Sequence, residues 1–60
     1  MNETNKFVDE YGESVKAETC GKDNSLIDVY TDGAPWLTPD QAIEFAKQLT
    51  ELAQEVKAKQ

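Results

Sequence analysis

The side chains able to do chemistry are few. Cys20 is the only cysteine, and histidine is absent. A thiol nucleophile is activated by a neighbouring base, and no imidazole is present to serve as one. A lone thiol also cannot build a structural zinc site or an intrachain disulfide. Cys20 falls beside a turn and reads as a spare hairpin residue, with a redox thiol as the sharper alternative. Carboxylates are plentiful: twelve Asp and Glu stand against six Lys, with no arginine. Asp9, Glu10 and Glu13 cluster in the sequence, and paired carboxylates do acid–base work where their surroundings drive their pKa values apart. That needs a desolvating cleft, so a solvated acidic face is the expectation. The Asp-x-Asp-x-Asp-Gly spacing of a calcium loop is absent. No catalytic residue, metal ligand or cofactor is assigned.

The elements that position these groups must fit into 60 residues, which is one small domain. A core of this size supplies only about 3–5 kcal/mol, and association with a protein partner or a second copy is the open route to more. The net charge of -6 is the opposite of the basic stripe that holds phosphate, so direct nucleic-acid binding is not expected. The acidic surface suits solubility or a basic partner. No run approaches the ~18 apolar residues of a membrane span. The start Met-Asn-Glu-Thr-Asn-Lys lacks the basic-then-apolar pattern of a signal peptide, which with a free cysteine suggests a cytoplasmic protein.

Residues 1–6 are polar and expected to be disordered. Phe7, Val8 and Tyr11 fit either a helical turn or a strand, and Gly12 ends either one. Ser14–Cys20 and Ser25–Thr31 read as two strands joined by the turn-forming run Gly21-Lys22-Asp23-Asn24. A three-residue loop at 22–24 sets Thr19 opposite Ile27, Ala17 opposite Val29 and Val15 opposite Thr31, all on one face; a shift of one residue would bring lysine and glutamate onto that face. Asn24 then takes the left-handed position. The register also sets Glu18 opposite Asp28, a like-charge pair. Asp32-Gly33 favours a type I′ turn that would fold Ala34–Leu37 back as a third, edge strand. Trp36 would then face Val29 and cap the core.

The segment from Thr38 to about Lys57 carries the most consistent signals. Thr38 is an N-cap, Pro39 a first helical residue, and Gln41 completes a capping box. Ala42, Phe45, Ala46, Leu49, Leu52, Ala53 and Val56 form one apolar stripe at helical spacing. Glu44, Lys47, Gln48, Glu51, Gln54 and Glu55 cover the other side. Trp36, Leu37, Thr38, Pro39, Asp40 and Ala42 resemble a pattern in small uncharacterised proteins of bacteria and their phages, in which a strand ends in Trp-Leu-Thr-Pro-Asp/Glu-x-Ala and enters an alanine- and leucine-rich helix. The resemblance spans residues 32–56. It implies a β-hairpin-plus-helix fold and a phage or prophage origin, and carries over no activity and no site.

These readings combine into an α+β fold, with an antiparallel meander over 14–37 packed against one long C-terminal helix over 38–57. Ile27, Val29, Trp36, Phe45 and Leu49 are the expected core anchors. Leu26 and Tyr30 fall on the outer sheet face, and Leu52 and Val56 lie near the end of a helix longer than the strands; these four form the expected protein-interaction surface. The function expected is a non-enzymatic interaction module, a phage accessory protein on the resemblance, with an acidic nucleic-acid mimic as the alternative.

Overall fold

The computed structural model describes residues 3–59. Strands β1 (Phe7–Val8), β2 (Ser14–Cys20) and β3 (Leu26–Asp32) precede helix α1 (Pro39–Ala58). They form an antiparallel sheet in the order β1-β2-β3, and the fold is α+β as expected. The β2–β3 hairpin has the expected register: Val15 pairs with Thr31, Ala17 with Val29 and Thr19 with Ile27. Asn24 is left-handed at φ 54°, and so is Asp23 at φ 59°, within a short 3-10 turn over Lys22–Asn24. The like-charge Glu18–Asp28 pair is present.

The third strand is not the expected one. Residues 34–37 carry no strand; β1 supplies it from the opposite edge of β2. A type I′ turn needs two consecutive left-handed residues, and only Gly33 of the Asp32-Gly33 pair has positive φ. Pro35 has no N–H to give to a ladder. The amides on either side of it are taken by carboxylates: Ala34 N–H donates to Glu13 Oε2 (3.2 Å) and Trp36 N–H to Asp9 Oδ2 (2.9 Å).

The N-terminal segment continues the β1 edge, where disorder was expected for residues 1–6. Met1 and Asn2 lie outside the described residues. Glu3 bridges to Glu18, and Thr4 is buried. Three residues separate Glu3 from Phe7 while two separate Val15 from Glu18, so the outer chain carries a one-residue bulge. The Thr4 hydroxyl stands in for a backbone acceptor there. Thr4 N–H donates to Ala17 O (2.8 Å), Ala17 N–H donates to Thr4 Oγ1 (3.0 Å), and the Thr4 hydroxyl donates to Asn5 O.

Helix α1 lies antiparallel over this segment. Gln41 Nε2 donates to Val8 O, Phe45 meets Phe7 edge-on with ring centres 5.5 Å apart, and Gln48 Oε1 accepts from Asn5 N–H (2.8 Å). Its start is capped as expected. Gln41 N–H donates to Thr38 Oγ1, and Thr38 N–H donates to Gln41 Oε1. The buried stripe is rotated from the expected one: Gln48 is buried, while Ala42, Ala46 and Ala53 are exposed. The polar Gln48 is drawn inward because Asn5 N–H needs an acceptor.

The position of α1 revises several expected roles. It covers β1 and β2 and leaves β3 outside. Val29 is on the helix-facing side, opposite the buried Ala17, yet is 50% exposed. Trp36 is 76% exposed, because its backbone is tied to Asp9 and no third strand turns it inward. Neither is a core anchor. Ile27, Phe45 and Leu49 are half-buried. Leu52 is 0% exposed and Val56 is buried, so neither is available to a partner. Residues 3–6 extend that edge of the sheet along the helix, where Asn5 meets Gln48. Among the described residues, Leu52, Val56, Val15 and Ala17 are the buried apolar ones.

The Thr4 bridge should be measurable. Thr4→Val keeps the shape but leaves the Ala17 N–H without its acceptor, and should cost about 1–3 kcal/mol in urea denaturation. Thr4→Ser should retain most of that stability. Equal stability of Thr4→Val and wild type would show that the N-terminal segment does not pair with β2.

Candidate functional site

The candidate surface follows from the direction of the β2 amides. N–H and C=O of one strand residue point to the same side. Ala17 points both toward the N-terminal segment. Its neighbours Lys16 and Glu18 therefore point toward β3 and pair with Tyr30 and Asp28. On β3, Ile27, Val29 and Thr31 then direct their N–H and C=O away from the sheet. Among the described residues, no hydrogen bond reaches these groups from outside the strands. An unpaired strand edge of this kind is a template for another chain.

Side chains add to the edge. Leu26 (62% exposed) and Tyr30 (41%) project from the outer face, and Val29 and Ile27 from the face beside the helix. The structure thus brings together Leu26 and Tyr30 of the expected surface and adds Val29 to them, while Leu52 and Val56 lie elsewhere and buried. Next to Tyr30 is a depression of about 290 Å³ lined by Lys6, Ser14, Lys16, Tyr30 and Asp32. The Lys16 ammonium is 2.8 Å from Glu3 Oε2. That hydrogen bond raises its pKa above the ordinary lysine value, so its charge is already matched. The depression offers a mixed-charge seat in which Lys16 is paired with Glu3.

A second cluster fixes the chain between β3 and α1. Asp9 Oδ1 accepts from the N–H groups of Tyr11 (2.8 Å) and Glu13 (3.0 Å), while Oδ2 accepts from Trp36. The Trp36 N–H above all, with those of Tyr11 and Glu13, holds the Asp9 carboxyl below its ordinary pKa against the upward push of desolvation. Tyr11 meets Trp36 edge-on at 6.0 Å, and both rings are exposed. Gly33 has φ +82° and lies under the Glu13 side chain, whose Cδ is 2.6 Å from where a Cβ would be. Only glycine suits that backbone and leaves Glu13 free to reach Ala34. The acids Asp9 and Glu13 are therefore backbone acceptors and not an acid–base pair. The readable signal was Asp9-x-x-Gly12, the pattern of a type I turn with Asp at its first position.

Cys20 is a half-buried free thiol. Among the described residues, no three His, Cys, Asp or Glu side chains converge on a common point as a metal site would require, and no helix is long and apolar enough to cross a membrane.

The Asp9 clamp has a definite pH signature. A lowered folded-state pKa contributes stability that is complete above the unfolded value and is lost as pH falls through the folded one. Asp9→Ala should lower the Tm at neutral pH and flatten the acid limb of the Tm–pH profile in calorimetry. An acid limb identical to that of wild type would contradict the clamp.

Comparison of the chain with known protein families, curated proteins and solved structures finds no match.

Proposed function

We propose that the protein is a non-enzymatic interaction module of the cytosol that binds another protein through β3 and the outer sheet face beside it. The observation that carries this reading is the state of β3. It is seven residues long, open at its edge, and exposes Leu26, Val29 and Tyr30 on its two faces. Isolated surface apolar residues are ordinary, but apolar residues grouped on one unpaired strand mark an interaction site. The phage or prophage origin belongs to the same proposal and rests on the Trp36–Ala42 motif alone.

An acidic nucleic-acid mimic is the second reading. It needs carboxylates gathered on one face and free to meet a basic site. Asp9 and Glu13 are engaged with backbone amides and Glu3 with Lys16. The carboxylates left on the outer face, Asp28, Asp32 and Glu18, share it with Lys16 and Lys6. These features favour the module over the mimic.

Tyr30 separates binding from folding. Tyr30→Ala removes a ring from the outer face, away from the buried apolar residues, and should leave the circular dichroism spectrum and Tm close to wild type. Capture from host cytosol on immobilised wild-type protein should yield at least one protein that Tyr30→Ala fails to retain. Identical captured sets, or loss of folding in Tyr30→Ala, would overturn the assignment of this surface.

A further inference from the structure

We infer that β3 takes up an extended, basic segment of its partner by strand addition, with the partner's backbone bonded to Ile27, Val29 and Thr31. The inference rests on the reading of β3 as the binding surface and adds the partner's chemistry. In strand addition the main-chain bonds supply affinity and alternate side chains supply specificity. Here the outward N–H and C=O groups of those three residues provide the rungs. Their side chains face the helix side of the sheet, so alternate partner side chains would land beside Ile27 and Val29. Ile27 is half-buried and Val29 exposed, and apolar groups fit there.

The intervening partner side chains would land on the outer face along β3, where the strand's own charges are negative, with Lys16 and Lys6 set further in beside the depression. Asp28 and Asp32 project there from β3, and Glu18 lies directly across from Asp28. Among the described residues no lysine forms an ion pair with Asp28, Asp32 or Glu18. Like charges directly opposite destabilise a sheet. A lysine or arginine placed over Asp28 relieves that repulsion, so the protein gains more from a basic strand than from a neutral one.

The same charges argue against a second copy as the occupant. Full overlap of two β3 strands about Val29 sets Leu26 against Asp32 and brings the two Asp28 carboxylates into diagonal contact. Centring the pair on residue 28 sets Asp28 against Asp28, and centring it on residue 30 sets Asp28 against Asp32. Each copy also carries a net charge of -6. A long-range repulsion between equal charges slows such an encounter.

The test uses a blocked peptide of alternating lysine and valine, titrated into the isotopically labelled full chain at low salt. The expected result is a set of NMR shift changes concentrated on β3, an affinity that falls with salt, and no binding by the same peptide N-methylated at alternate residues. Because N-methylation alters only the peptide, that control does not depend on a variant folding. The double variant Asp28→Lys, Asp32→Lys should weaken binding roughly fivefold or more, since two cross-strand charge pairs change sign. Equal binding of the N-methylated peptide, of a glutamate–valine peptide, or of the charge-reversed variant would overturn the inference. So would an absence of binding, or light scattering that shows a dimer broken by the charge-reversed variant. Failure of these peptides with Tyr30-dependent capture intact would defeat strand addition alone; loss of Tyr30-dependent capture would defeat the module itself.

Discussion

A single α-helix is roughly 10 Å across, and strands in a sheet lie about 4.8 Å apart, so one helix roofs about two strands. With three strands and one helix, something must be left outside. The choice is made by pairing of the N-terminal segment with β2. Thr4 closes that pairing through its hydroxyl and Gln48 ties it to the helix. Once residues 3–8 occupy that edge, Phe7 offers α1 an aromatic contact that β3 cannot match. The helix settles over β1 and β2, and β3 becomes both the far edge and the uncovered strand. The proposed interaction surface is thus a consequence of where the core was built.

The same economy governs the acidic groups. In a chain with so little apolar bulk, buried or constrained amides have few partners, and short carboxylates supply them. Asp9 gathers the amides of its own turn and then reaches across to Trp36. Glu13 passes over Gly33 to Ala34. Together they hold the linker extended between β3 and α1 and fix where the helix begins. The acids left over, Asp28, Asp32 and Glu18 among them, lie on the outer face near the open edge. Charge that is structural in one part of the sheet is thus, in the proposed binding mode, used for recognition in another.

Much of the fold was legible in the sequence because its determinants are local. The capping box at Thr38 and Gln41 and the register of the β2–β3 hairpin depend on neighbours a few residues apart. What was missed depends on distant partners. Nothing adjacent to Thr4 says that its hydroxyl will meet Ala17, thirteen residues on. Gln48 looks like a surface residue until Asn5 presents an amide to it. Trp36 looked like a core residue on size alone, but its backbone is fixed by Asp9, twenty-seven residues away. Of the surface, Leu26 and Tyr30 followed from strand alternation, whereas Val29 became exposed through the sideways placement of the helix. Leu52 and Val56 were lost from it because both are buried in the core rather than left over at the helix end.

In the free protein β2 is paired on both sides and β3 on one. Native-state amide hydrogen exchange on the free protein tests it residue by residue. Ala17, Asp28 and Tyr30 should exchange slowly, near the rate set by global unfolding, while Ile27, Val29 and Thr31 exchange fast. Fast exchange at Ala17, or protection of Val29 equal to that of Asp28 and Tyr30, would contradict this pairing.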